Sequence, residues 1–392
     1  MAKPIRVGIV GARFAARFHL EGYRRVYGVP VEVVGVTSRS PESAEVFARE
    51  HGIKACATLE ELCEAVDVID LCTPPSTHES LARAALARGK HVVIEKPFTG
   101  YYGPDDATDF RGNTFSKEIM RREAMTSCER ILQAAREASK KICYAENWVY
   151  APAIQKEREI LEKSGGQVLW LIGDESHSGS HSPYYGIWRF SGGGSLVGKG
   201  CHPLSAALYL KRAEGEAREG QPIRPATVSA RTHEITRHAN FHDAGFLRTG
   251  YEDVEDYGQM HVTFADGTVA DIFASELVLG GVHNWLEVFA SNHRTRCNLN
   301  PTDALETYNP QEALLKDVYV VEKLGTKQGW SRPAPDESWQ HGYPQEFQDF
   351  MESIYYDREP LSGSVLARDT IAVLYSAYVS AERHGAELEI PL

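Results

Sequence analysis

The stretch "GGGSLVGKGCHPL", Gly192 to Leu204, brings a single imidazole, His202, to the end of a glycine-rich loop. Imidazole titrates near neutrality, so such a residue is suited to taking and returning a proton. Pro203 follows directly, and proline favours the first turn of a helix, which predicts a helix N-terminus at His202. The dipole there disfavours the imidazolium and keeps the ring available as a base. The plainer reading is a buried ring that holds the loop in place. A second chemical signal lies near the N-terminus, where the apolar run "IRVGIVG" stops in Gly11-Ala12-Arg13-Phe14-Ala15-Ala16. Aligned on the dinucleotide fingerprint, Gly11 is the tight-turn glycine and Ala16 the close-packing position. Arg13 replaces the middle glycine. A helix N-terminus over Ala12 to Ala15 still offers amides and a dipole to phosphate, and Arg13 adds a charge. An ordinary strand-turn-helix is the alternative.

These groups need a scaffold, and the first part of the chain supplies the pattern of one. Short apolar runs, "IRVGIVG", "VEVVGVTS", "VDVIDLCTP" and "HVVIEKP", alternate with helical stretches such as "PESAEVFAREHG", closed by Gly52. Apolar strands separated by helices predict a parallel sheet covered on both faces, the doubly wound α/β nucleotide-binding (Rossmann) architecture. The second strand ends in Thr37-Ser38-Arg39. An acidic residue there would grip a ribose 2′-hydroxyl, whereas arginine accepts a 2′-phosphate, so Ser38 and Arg39 favour NADP and leave NAD open. A loop over Thr99 to Phe115 carries four aromatics; its place directly after "EKP" predicts a lid. A long helix is expected from Ser116 to about Lys140. After "ICYAEN" the strands lengthen, and the Asp-Gly of "FADGTVA" signals a hairpin. The expected division is residues 1–145, a dinucleotide-binding domain with the 99–115 insert, and residues 146–392, an α+β domain with one broad, mainly antiparallel sheet.

"CTPPSTH" (Cys72 to His78), "GKHVVIEKPFT" (Gly89 to Thr99) and "GGGSLVGKGCHPL", in that order, resemble the Gfo/Idh/MocA oxidoreductases. The resemblance implies hydride transfer between nicotinamide and a hydroxyl carbon of a sugar, sugar derivative or cyclic polyol. It places Thr73, Pro74 and His78 beside the nicotinamide, and Glu95, Lys96 and Pro97 in the active-site element, with a cis peptide that aims Lys96 into the cleft. Lys96 would bind the reacting hydroxyl and His202 would be the catalytic base. Asn147, in "ENWVYAP", would lie near nicotinamide, and Tyr150 near substrate. The chemistry asks for such a set, because hydride loss from a carbinol carbon needs a base for the hydroxyl proton and a cation for the developing alkoxide. One departure stands out: the family commonly has aspartate four residues before the histidine, and here that residue is Gly198. Lys199, offset by one, is a candidate substrate contact.

His181, Tyr184, Tyr185 and Trp188 are candidates to line a carbohydrate pocket. Asp174, Glu175, His177 and His181, or His233, His238 and His242, have ligand chemistry, but neither spacing is a tight metal signature, so no metal is assigned. The chain has 392 residues and a net charge of −12, which argues against nucleic acid or an anionic membrane surface as partner. Seven scattered cysteines and the absence of a leader or an 18-residue apolar run point to a cytoplasmic protein. The family's broad sheet implies a homodimer or homotetramer. Two other functions fit the same fold: an NAD-dependent glycosidase working by transient oxidation and elimination, and a non-catalytic nucleotide-binding regulator.

Overall fold

The computed structural model describes residues 3–180, 182, 184–300 and 304–392. The N-terminal part folds in the order β1 (Ile5–Val10), α1 (Phe14–Arg24), β2 (Val31–Thr37), α2 (Pro41–His51), β3 (Lys54–Ala55), α3 (Leu59–Ala65), β4 (Val68–Leu71), α4 (His78–Leu86), β5 (His91–Glu95), α5 (Lys117–Ala138) and β6 (Ile142–Ala145). All six strands are parallel in the order β3-β2-β1-β4-β5-β6. This is the doubly wound order in which the chain reverses direction across the sheet between β1 and β4, opening a crevice at their carboxyl ends. Gly52 ends α2 in the left-handed region at φ 71°, and Ser116 caps α5 through its hydroxyl.

The remainder comprises α6 (Pro152–Ser164), β7 (Val168–Ser176), α7 (Trp188–Ser191), α8 (Ser195–Gly198), α9 (Cys201–Glu219), β8 (Pro225–His233), β9 (Tyr257–Phe264), β10 (Val269–Ser275), β11 (His283–Ala290), β12 (Arg294–Asn298), β13 (Thr307–Asn309), β14 (Gly329–Ser331), α10 (Glu337–Gln340), α11 (Tyr343–Tyr355), α12 (Ser364–Glu382) and β15 (Leu388–Glu389). Seven strands form one sheet, β12-β11-β7-β10-β9-β8-β15, antiparallel except at β7–β10. Helices α9 and α12 cover one face. Trp170, Ile172, Val269, Phe273, Trp285 and Phe289 share the other by strand parity and are partly exposed.

The two sheets are tied together by returning helices. α12 packs on both α5 and β8, and α11 lies along α1, where a Cβ on Gly22 would fall 2.1 Å from the Phe347 ring. The 99–115 insert is a packed strap rather than the expected lid. Tyr101, Phe110 and Phe115 bury against one another, and the Gly112 amide donates to Asp253 at 2.7 Å. Arg189 donates to carbonyls of Pro104 and Ala107, and the Trp188 indole donates to the Tyr101 carbonyl at 3.0 Å. Aromatic burial, which a mobile lid would forgo, holds the insert to the C-terminal half.

Candidate active site

Gly11 turns the chain at the end of β1 with φ 109°, and a Cβ there would lie 2.3 Å from the Cys72 carbonyl. Only glycine fits both the backbone angle and the space. The chain enters α1 without a side-chain cap and without an acid in its first turn, so the amides of that turn are left unspent by the side chains at the helix start. This is a cradle suited to pyrophosphate. Ala12 and Ala15 are half-buried beside it and Phe14 is exposed. The Arg13 guanidinium lies over the Tyr184 ring, 5.7 Å from its centroid, so the residue in the middle-glycine position reaches the C-terminal half. Ser38 and Arg39 flank the same turn, because the Gly11 amide donates to Thr37 at 2.8 Å; Arg39 is exposed.

Across the crevice, Thr73 and Pro74 lead into a 3-10 turn, Pro75–Thr77. His78 is fully buried behind them, with its ring nitrogens 3.1 Å from the Thr73 carbonyl and 3.2 Å from that of Pro97. It ties these two loops together, and burial pushes its imidazole below the ordinary value. The Lys96–Pro97 peptide is cis. Glu95 is held by His19 at 3.0 Å, and His19 in turn by Asp70 at 2.9 Å. Burial would raise the Glu95 carboxyl, but His19, Lys96 and His202 outweigh it and hold the group below the usual range.

Lys96 leaves this element toward the other half and donates to the Gly198 carbonyl at 2.9 Å. Burial alone would favour the amine, yet Cys201, Glu175, Glu95 and Glu146 offset it, and the ammonium is held above the ordinary lysine value. Gly198 ends α8 four residues before His202, which opens α9 after the turn at Lys199 and Gly200, and both Lys96 and His202 act on the Glu175 carboxyl, so cation and imidazole share one corner of the cleft. His202 stands in the first turn of α9 and is 5% exposed. Its Nδ1 is 2.5 Å from Glu146 Oε1, and the Trp148 indole lies nearly parallel to it at 6.0 Å. A carboxylate oxygen accepts, so in this pair Nδ1 is the donor and Nε2 is the ring nitrogen that Glu146 does not engage. Glu175, on β7, stands 3.8 Å from that Nε2. Burial raises its carboxyl, against the pull of His202, Lys96 and Lys199.

Two family models match the chain: the oxidoreductase family, NAD-binding Rossmann fold, over residues 5–109, and the GFO/IDH/MocA C-terminal domain over residues 158–295. The chain belongs to the Gfo/Idh/MocA family. A UDP-N-acetylglucosamine 3-dehydrogenase of Acidithiobacillus ferrooxidans is 34% identical over 95 residues, 24% of this chain and 29% of that protein, so the match spans under a third of the relative's length. Among solved structures, GenD2 from gentamicin A biosynthesis in complex with NAD has a TM-score of 0.79 at 22% identity, covering 100% of this chain and 98% of that one. A myo-inositol 2-dehydrogenase from Lactobacillus plantarum gives 0.71 at 15%, covering 99% and 100%. At these identities the likeness is one of fold.

Within this Gfo/Idh/MocA chain, the other residues singled out in the sequence are distributed unevenly. Lys199 is 2% exposed and paired with Glu276, with Ser180 at 3.4 Å; burial pulls its ammonium below the ordinary value. The Asn147 amide donates to the His341 carbonyl at 2.8 Å. Tyr150 donates to Asp349 at 2.8 Å and accepts from the Ser362 amide at 2.9 Å, so its hydroxyl is committed inside the protein. Trp188 is buried as the anchor of the strap. His181 lies outside the described residues. Asp174 pairs with His283 at 2.9 Å, while His238 and His242 are exposed on their loop. Glu146, Glu175 and Tyr185, which the structure brings to this corner, carry no sequence signal that places them beside His202. Glu175 does carry a signal of burial: Leu171, Gly173 and Glu175 share the inward parity of β7, where a carboxylate requires a purpose.

Proposed function

We propose that the chain is an NAD(P)-dependent oxidoreductase that moves a hydride between nicotinamide and a hydroxyl carbon of a sugar, sugar derivative or cyclic polyol. The observation that carries this reading is the approach of the Lys96 ammonium to Gly198, four residues before His202, in a corner where both groups act on Glu175. The unspent amides of α1 and the tight Gly11 turn fit a dinucleotide, held by Gly11 to Ala15 with Thr73, Pro74 and Pro97 toward its reactive end. When bound, nicotinamide supplies the hydride acceptor or donor. The substrate hydroxyl donates to His202 Nε2 while its oxygen accepts from Lys96. As the C–H hydride leaves, the O–H proton passes to Nε2, and Lys96 stabilises the charge on oxygen until the carbonyl forms. Glu146 supports the imidazolium through Nδ1. Each step reverses for reduction.

The tip of β2 carries no acid and presents an exposed Arg39, which supports NADP alongside NAD. Residues 1–145 would bind the nucleotide and 146–392 the substrate, and the half-exposed aromatic face of the large sheet is the surface on which a second subunit would pack. The test is nicotinamide reduction with a panel of sugars and cyclitols and either cofactor. Turnover that disappears in Lys96→Ala and in His202→Ala, with cofactor affinity retained, supports the reading. Activity near wild type in both variants would sink it.

A further inference from the structure

Gly198 has no room for the carboxylate that the family commonly places there. A Cβ at that position would lie 1.7 Å from the Tyr185 hydroxyl, and the Gly198 carbonyl is already used by Lys96. A carboxylate nevertheless stands in the same corner, brought from a different element. Glu175 is 9% exposed, its Oε2 is buried without a hydrogen-bond partner among the described residues, and that oxygen is 3.8 Å from His202 Nε2. The separation is too long for a hydrogen bond between the two. The nearby donors bond elsewhere and none is within hydrogen-bond reach of this oxygen: Lys199 with Glu276, Lys96 with the Gly198 carbonyl, and His202 Nδ1 with Glu146. A buried acceptor left unmatched is costly and rare, so its donor is expected to arrive with a ligand.

We propose that Glu175 is a substrate-contacting residue that accepts a hydrogen bond from a hydroxyl or ammonium on the carbon adjacent to the one oxidised. This rests on the oxidoreductase reading above. A reacting hydroxyl has one proton, and that proton goes to Nε2, so the same oxygen cannot also donate to Glu175. A second donor is required, a short step from the first. The vicinal position of a polyol or amino alcohol supplies it, since neighbouring gauche heteroatoms stand about one hydrogen-bond length apart. Glu175 thereby selects vicinal diols and vicinal amino alcohols over isolated secondary alcohols.

The experiment uses the NAD- or NADP-loaded protein with three probes: cyclohexanol, trans-1,2-cyclohexanediol and trans-2-aminocyclohexanol. Binding is read by calorimetry and turnover by nicotinamide absorbance, for wild type, Glu175→Gln and Glu175→Ala. The wild type is expected to bind a bifunctional probe about 10- to 100-fold better than cyclohexanol, the worth of one charge-assisted hydrogen bond. Glu175→Ala should abolish that preference. Glu175→Gln keeps the volume and an acceptor oxygen, so it should retain most of a preference for the diol and lose most of one for the amino alcohol, which separates the two donors. Equal binding of all three probes by wild type, or a preference that survives in Glu175→Ala, would overturn the proposal. A Glu175-dependent binding preference upholds the contact whether or not these probes turn over, and the oxidoreductase reading fails separately, on absence of turnover across the sugar and cyclitol panel.

Discussion

The contact between Gly198 and Tyr185 can be tested by adding one methyl group. In Gly198→Ala the new Cβ meets the Tyr185 hydroxyl at 1.7 Å and two further ring carbons at 2.4 and 2.5 Å, all well inside contact distance. Gly198 ends the single turn α8, so helix preference alone would favour alanine by up to about 1 kcal/mol. Against it stands overpacking of a buried site, about 1–3 kcal/mol. Displacing the ring also breaks the 2.9 Å bond from the Tyr185 hydroxyl to the Gly194 carbonyl, about 1 kcal/mol more. The net expectation is a loss of about 1–3 kcal/mol, taking these terms together. Urea unfolding of Gly198→Ala, Tyr185→Ala and the double variant measures it. In the Tyr185→Ala background the cost of the added methyl should fall by at least half, because the three nearest atoms are gone. An equal cost in both backgrounds, or no cost in either, would refute the packing argument for why this chain carries glycine at 198.

Three other expectations concern catalysis, packing and pH. Lys96→Ala and His202→Ala should each lower kcat by about 10²–10⁴, the usual worth of a positioned acid or base, with cofactor dissociation constants unchanged by fluorescence titration. Tyr150→Phe should cost about 1–3 kcal/mol in thermal or urea unfolding by stranding buried partners, and should leave KM within a few-fold; a large KM effect at unchanged stability would restore Tyr150 to the substrate pocket. Glu255 is fully buried, and burial pushes its carboxyl up to about 7 despite bonds from Tyr378, Leu196 and Gly194. Between the ordinary glutamate value and about 7 the folded state keeps a proton that the unfolded chain has lost, so this group's contribution to stability falls as pH rises through that window and levels off above it. Glu255→Gln should flatten the slope of stability against pH there; an unchanged slope would show that Glu255 does not titrate as described.

The doubly wound parallel sheet and the turn at its nucleotide end were legible because each depends on local signals: apolar runs of strand length, Gly52 closing α2, the Asp-Gly turn between β9 and β10, and Gly11 at the end of β1. Several of the elements that escaped are short, although the thirteen-residue α6 escaped too. β3 has two residues, β13 and β14 three each, and α7 and α8 are single turns, all below the length at which periodicity shows. His202 and Lys96 stood out through their neighbours in sequence, glycine-rich loop and Glu-Lys-Pro. Glu146 and Glu175 did not, because they meet His202 from 56 and 27 residues away, through β6 and β7, and no spacing rule connects them. The lid expectation failed for a related reason. The partners that hold the strap, Asp253, Arg189 and Trp188, are distant in sequence, and a loop read alone shows only its own composition.

The most direct measurement of the central claim is a crystal structure of the protein grown with nicotinamide cofactor. The pyrophosphate should lie against the Gly11 turn, and the nicotinamide ring should face the corner where the Lys96 ammonium and His202 Nε2 converge. A ring bound elsewhere, or a cofactor that leaves those two groups on opposite sides of a closed wall, would contradict the account.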